Sequence, residues 1–258
     1  MTYEDVRLEI AEGVARIVLN RPARRNAMRD QTADEMLAAL RAAEADGTVR
    51  AVLMTGEGAA FGAGYDLSTL DPAAVPDLAR VLQDHFNPLV RAMRTSPLPI
   101  VAAVNGACAG ASVGLALAAD IVIAGRSAFF YEPFVGIALV PDAGNTLFLP
   151  RAAGRIRASA AMMLGDRIGA EEAERWGLVW RVVEDGALMG EAQALCARLA
   201  ERDPGALAMT KRLIARASEP DLDPMLDLER DLQGEAGRSP ALRAAVDAFF
   251  AARAGGKR

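Results

Sequence analysis

The sequence predicts an α/β protein, and three observations carry that prediction. Short apolar runs of strand length recur along the first two thirds of the chain. Stretches with apolar residues at helical spacing lie between them. From about Glu191 onward, helical patterns follow one another without strands. Strands that alternate with helices read as a largely parallel sheet covered by helices, because each crossover lays a helix on a sheet face. The 258 residues, 52% hydrophobic and 24% charged, are chain enough for a large core.

At the N-terminus Val6, Leu8 and Ile10 alternate with polar residues, "AEG" interrupts, and Val14 to Leu19 resumes, which reads as a β-hairpin. Thr32 and Glu35 have the spacing of a capping box ahead of "MLAALRAAEAD", with Gly47 expected to close that helix before the strand "AVLMTG". The alternation continues with a helix in "LARVLQDHFNPLVRAM", a strand in "LPIVAAVNG", a helix from about Gly110 to Ala119 and a strand in "IVIAG". Four helical patterns then close the chain: "EAQALCARLAERDP", "ALAMTKRLIARAS", "PMLDLERDLQGEAGR" and "SPALRAAVDAFFAAR". The last has Ser239 as N-cap and Pro240 at the first helical position. The expected division is an α/β core over 1–190 and a helical segment over 191–258. Helices this short bury little alone, so they are expected to pack on the core or on a neighbouring subunit. The only low-complexity stretch is the Gly-Gly-Lys-Arg tail.

Composition excludes several classes. A net charge of −5, from 29 Lys and Arg against 34 Asp and Glu, lacks the basic excess of a nucleic-acid-binding domain. The two cysteines, Cys108 and Cys196, sit in apolar or helical surroundings, which argues against a disulfide scaffold and a cysteine zinc site and fits a reducing, cytoplasmic setting. "MTYEDVRLEI" has neither a basic nor an apolar leader segment, and no charge-free run reaches membrane-spanning length, so no membrane association is expected.

Two motifs suggest chemistry and fail on inspection. Gly110-x-Ser112-x-Gly114 has the pattern of a nucleophile elbow, but the single histidine, His85, precedes the serine, whereas the hydrolase order needs it afterwards. Without a base the Ser112 hydroxyl is a poor nucleophile, and one histidine also excludes ordinary His-rich metal sites. In "GEGAAFGAG" the dinucleotide fingerprint requires glycine where Phe61 and Leu67 stand. What the two glycine-rich turns share is their setting, each after an apolar strand and before a helix. Such turns present unpaired backbone N–H groups, and two of them brought together would make an oxyanion hole. The competing reading is a pair of tight connections.

"LNRPARRNAM", "GAAFGAGYDL", "PIVAAVNGACAGASVGLALAADIVIA", "GIALVPDAGNTLFLPRAAG" and "AEEAERWGLVWRVV" resemble successive blocks of the enoyl-CoA hydratase/isomerase (crotonase) superfamily, in family order over nearly the whole chain. "HFNPLVRAMRTSPLPI", "LVPDAGNTLFLPR" and "LDLERDLQGEAGRS" are most similar to its phenylacetate-pathway 1,2-epoxyphenylacetyl-CoA isomerase subgroup. The resemblance implies a ClpP/crotonase-like spiral of ββα units, with a C-terminal helical segment that forms a homotrimer or a hexamer of two trimers. It implies an acyl-CoA thioester as substrate, with no metal and no cofactor beyond coenzyme A itself.

The resemblance also assigns roles. The backbone N–H groups of Tyr65 and Ala111 would hold the thioester oxygen. The two glutamates that hydratases use fall at Gly114 and Phe134, so both are missing here. The remaining carboxylate is Asp142 in "VPDAG", expected as a single acid/base in an apolar pocket of Phe134, Leu139 and Val140 that would raise its pKa. Outside the family context Asp142 reads as a Pro-Asp turn residue. Glu132, just before Pro133, reads first as a solvated turn residue and second as an assisting acid. Arg24 and Arg25 would meet coenzyme A phosphates, while Ala63, Asp66, Leu67 and Gly110 would line the groove. One acid favours double-bond isomerisation; hydration by a reorganised site and silent acyl-CoA binding are the alternatives.

Overall fold

The computed structural model describes residues 3–69, 77–217 and 222–255, so the last three residues of the Gly-Gly-Lys-Arg tail lie outside the described residues. The chain opens with the expected hairpin: β1 (Val6–Ala11) runs antiparallel to β2 (Val14–Leu19) through a turn in which Glu12 and Gly13 both take positive φ. Helix α1 (Asp30–Ala45) follows. From there a two-strand unit repeats, with a long strand in one sheet and then a three-residue strand in another. β3 (Ala51–Gly56) is followed by β4 (Ala60–Gly62), β5 (Ile100–Val104) by β6 (Ala107–Ala109), and β7 (Ile121–Gly125) by β8 (Phe129–Tyr131). Helices α2 (Leu78–Val81) and α3 (Asn87–Thr95) precede β5, and α4 (Ala111–Ala118) precedes β7. Then come α5 (Asn145–Ala153), α6 (Arg155–Leu164), β9 (Ile168–Gly169), α7 (Ala170–Trp176), β10 (Arg181–Val183) and α8 (Leu188–Ala200).

The main sheet has the order β1-β2-β3-β5-β7-β10 and is parallel except for the β1–β2 pair. The second sheet, β4-β6-β8-β9, stands beside it. Period-two alternation sorts the faces of the main sheet. Val52, Met54, Ile100 and Ala102 pack with Met36 and Leu40 of α1 and Leu89 and Met93 of α3, while Leu53, Val101 and Ile123 pack under Leu188, Ala192 and Leu195 of α8. This arrangement is the expected α/β spiral of ββα units.

The chain divides into two compact units, Met1–Ala200 and Glu201–Arg258, so α8 belongs with the sheet and the division falls beyond the expected 190. The second unit is helical: α9 (Pro204–Arg216), α10 (Leu222–Gly237) and α11 (Pro240–Gly255). Ser239 caps α11 as expected, its Oγ accepting from Leu242 N–H at 3.2 Å. Among the described residues no helix is long and apolar enough to cross a membrane.

Two local expectations are corrected. Thr32 is not the N-cap of α1; it is the third helical residue, and its hydroxyl accepts the N–H of the true N-cap, Arg29, at 3.1 Å. Glu35 instead accepts the N–H groups of Glu4 and Asp5, tying the N-terminal strand to the helix. The helix closes on Asp46 rather than Gly47. The expected single helix over "LARVLQDHFNPLVRAM" also contains a π-helical turn, Leu82–Phe86. Pro88 is the cause on physical grounds: it lacks an N–H and its ring crowds the carbonyl four residues back, so the preceding turn widens and Asn87 N–H reaches Leu82 O.

Candidate active site

The site forms where the two glycine turns meet. Gly64 (φ +87°) ends the segment after β4, and Gly110 (φ +55°) ends β6. A Cβ on Gly64 would lie 3.1 Å from Ala109 O and 3.6 Å from Gly110 Cα, so the approach of the two backbones requires glycine as well as the positive φ. The next residue on each turn is Tyr65 and Ala111. Among the described residues neither of their backbone N–H groups donates a hydrogen bond. Ala111 is the first residue of α4, where an N–H has no partner inside the helix.

Both turns are held in place. Ser112, fully buried, accepts the Gly64 N–H through its Oγ at 3.2 Å, which fastens one turn to the other. The Gly110 N–H donates to Tyr131 O at 2.9 Å, and Asn145 Nδ2 donates to Gly110 O at 3.1 Å. The Ser112 hydroxyl is therefore a fastener. Ser112→Ala strands a buried N–H, and is expected to lower unfolding free energy by about 1–3 kcal/mol. Turnover should fall only several-fold, whereas loss of a nucleophile would abolish it; denaturant melts and a rate assay check both.

A cleft of about 190 Å³ opens beside the turns. Ala63, Tyr65, Leu67, Gly110, Ala111, Phe134 and Asp142, all expected at the site, line it together. Residues not anticipated also line it: Leu78, Val81, Leu82 and Phe86, from α2 and the π turn, and Pro133 and Ile137 beside Phe134. The Tyr65 ring meets Phe86 edge-on at 5.9 Å, and its hydroxyl donates to Asp30 Oδ1 at 3.0 Å. His85, half-buried, faces Asp34 at 2.8 Å and Asp30 at 3.6 Å, outside the cleft lining.

Leu139 lines the cleft, but Val140 does not: it is 78% exposed. Ala138 takes a left-handed backbone, and after it the neighbouring side chains of Leu139 and Val140 point apart, one into the cleft and one to solvent. The Asp66 carboxylate, nearly buried, pairs with Arg21 at 2.9 Å and accepts from the Ser68 hydroxyl. Burial alone would raise its pKa, and these partners more than offset that and hold it low. Arg24 and Arg25 are exposed on the loop after β2 and, among the described residues, make no ion pair, so their charges are available.

Two carboxyls carry the electrostatics. Burial lifts Asp142 from 3.8 to about 6, and its Oδ1 is buried without a hydrogen-bond partner. Glu132, expected first as a solvated turn residue, is instead 1% exposed with neither carboxyl oxygen partnered. Burial and then the neighbouring Asp142 charge raise it from 4.5 to about 8. A signal for this burial existed: Glu132 is two residues beyond the fully buried Phe130, on the same face of an extended chain.

The two positions expected to match the hydratase acids, Gly114 and Phe134, are filled differently. Phe134 is a wall of the cleft. A Cβ on Gly114 would overlap Ala143 O and lie 2.9 Å from Ala143 C, so that position is closed by the backbone that follows Asp142. Among the described residues no group of three or more His, Cys, Asp or Glu side chains is arranged to hold a metal.

A spiral of ββα units with its cleft at paired glycine turns defines a protein of the crotonase class. Residues 9–254 match the enoyl-CoA hydratase/isomerase family model. The chain is 44% identical to the 1,2-epoxyphenylacetyl-CoA isomerase of Escherichia coli, over 95% of this chain and 94% of that protein. It is 33% identical to the short-chain-enoyl-CoA hydratase of Clostridium acetobutylicum, over 97% and 96%. The crystal structure of an enoyl-CoA hydratase/isomerase from Cupriavidus metallidurans superposes with a TM-score of 0.90 at 30% identity, over 97% of this chain and 95% of that one. The protein belongs to the enoyl-CoA hydratase/isomerase family.

Proposed function

We propose that this enzyme is an acyl-CoA double-bond isomerase that works with one carboxylate. The observation that carries the reading is the pairing of two unpartnered backbone N–H groups, on Tyr65 and Ala111, with a single raised carboxyl, Asp142, in one apolar cleft. Ionised Asp142 removes a proton from C2 of a 3-enoyl thioester, charge develops on the thioester oxygen, and the two N–H groups meet it. One such pre-aligned donor is commonly worth about 3–4 kcal/mol in the transition state. Asp142 then returns the proton to C4 on the same face, giving the conjugated 2-enoyl thioester, and no water is consumed.

Arg24 and Arg25 suit the coenzyme A phosphates, and Ala63, Asp66, Leu67 and Gly110 supply groove backbone. Phe134, Tyr65 and Phe86 give the acyl end aromatic walls, which fits a ring-bearing acyl group such as the one named in the Escherichia coli relative. Coenzyme A enters as part of the substrate, and the reaction as written needs no further cofactor. The helical segment after Ala200 is the proposed contributor to a homotrimer or hexamer, in a cytoplasmic setting.

A second reading, hydration, is favoured by one observation: Glu132 and Asp142 are two carboxyls close enough to interact. Parallel incubations with 3-hexenoyl-CoA and with 2-hexenoyl-CoA, with separation of 3-enoyl, 2-enoyl and 3-hydroxyacyl thioesters, decide between them, because water adds only to the conjugated 2-enoyl thioester. Accumulating 2-hexenoyl-CoA is the isomerase result. Progress to 3-hydroxyhexanoyl-CoA is the hydratase result, and no turnover with tight binding is that of a silent binder.

A further inference from the structure

Among the described residues Glu132 is the one buried carboxyl with neither oxygen partnered, and the proposed reaction leaves it unused. It directly follows β8, and its backbone neighbour Tyr131 accepts the N–H of Gly110, the hinge of the turn that presents Ala111. Pro133 and Phe134, on its other side, lie 4.0 and 3.8 Å from where a Gly110 Cβ would be. The groups that face it are the Asp142 carboxyl, from the loop before α5, and the Cys108 thiol of β6, itself pushed well up by burial and by the Glu132 charge. Among the described residues no cation pairs with it and no donor reaches either oxygen.

An unpaired carboxylate in such surroundings is unfavourable, so the side chain is retained as the neutral acid. We propose that Glu132 is a positioning residue of this site, packed as the neutral acid beside Asp142 and the Gly110 hinge, and that its ionisation shuts the reaction off. The inference rests on the isomerase reading above. While neutral, Glu132 adds no charge against the developing enolate. Once ionised, it places a second negative charge beside Asp142 and near the turn that must stabilise an oxyanion, where low polarity magnifies the repulsion. No proton leaves Glu132 during turnover.

The test is the pH profile of kcat/KM on 3-hexenoyl-CoA for wild type and Glu132→Gln, joined to an infrared titration of the ligand-free protein. Wild type should rise through about pH 6 as Asp142 ionises and fall through about pH 8 as Glu132 does, by about tenfold per unit on each limb. Glu132→Gln, a neutral isostere, should keep the acid limb and near-neutral activity within a few-fold, and lose the alkaline limb. In the infrared, the C=O stretch of a protonated carboxylic acid should be present at pH 7, vanish through about pH 8, and be absent from the variant.

An alkaline limb that survives in Glu132→Gln overturns the proposal. So does a wild-type spectrum with no protonated acid at pH 7, a result that needs no folded variant. Because the infrared readout needs no turnover, failure of the isomerase reading would leave it intact and be recognised separately, by an Asp142→Asn protein that keeps its acid limb.

Discussion

Asp142→Asn is expected to lower kcat/KM on 3-hexenoyl-CoA by about two to four orders of magnitude, the usual contribution of a positioned acid/base. The amide has nearly the same shape and can still occupy the cleft, but it cannot take the C2 proton. Stability should move the other way. The Asp142 carboxyl is raised in the folded protein, to about 6 from 3.8. The unfolded chain therefore releases this proton first as pH rises. A raised carboxyl contributes stability that is complete below about pH 4 and is lost as pH rises through about 6. At neutral pH the buried charge thus destabilises wild type, by on the order of 2–3 kcal/mol for a shift of this size. Asp142→Asn should melt at the same or a higher temperature than wild type at pH 7 while losing nearly all activity. Thermal melts with a rate assay across pH 4 to 8 check both. A variant that melts much lower would mean the activity loss reports misfolding.

Gly114→Ala is the second large expected effect, although it adds only one methyl group and removes no catalytic group. The added Cβ would overlap Ala143 O and stand 3.0 Å from Ala143 Cβ, so the segment that carries Asp142 must shift. Overpacking of this kind commonly costs about 1–3 kcal/mol. A displacement of about 1 Å at a catalytic group can lower the rate about a hundredfold. Both effects should appear together, in a denaturant melt and in kcat with KM little changed. Gly114→Glu, which restores a hydratase acid at the position given by the family pattern, should not produce a hydratase. The backbone following Asp142 occupies the space that side chain needs, so exchanging one acid is not enough to interconvert the two chemistries.

Much of the architecture was legible because long elements carry strong periodicity. The hairpin of β1 and β2, the strands β3, β5 and β7, and the helices from α8 onward follow the apolar pattern within a few residues. The second sheet was not legible, since three-residue strands such as β4 and β6 are too short for period two to register. No element was read between Gly125 and Glu191, where α5, α6 and α7 begin after glycine without a Ser, Thr or Asp cap.

At the site, Tyr65, Ala111, Phe134 and Asp142 came from motif resemblance, and the cleft brings them together. Glu132 and Val140 were misjudged for different reasons. Glu132 continues the inward face of β8 two residues past Phe130, a period-two signal that its place before Pro133 obscured, whereas nothing local in the turn around Ala138 shows that Leu139 faces the cleft and Val140 the solvent. Leu78, Val81, Leu82 and Phe86 reach the cleft only through tertiary packing of α2 and the π turn, which no local pattern encodes.

The central claim is that one carboxylate carries a proton from C2 to C4 on an enolate held by two backbone N–H groups. It is tested most directly by a single turnover of 3-hexenoyl-CoA deuterated at C2, in ordinary water, with the product examined by NMR. The account predicts 2-hexenoyl-CoA with part of the label returned to C4, and no such product from Asp142→Asn. A product whose C4 carries only solvent hydrogen, formed as fast by the variant as by wild type, would contradict it.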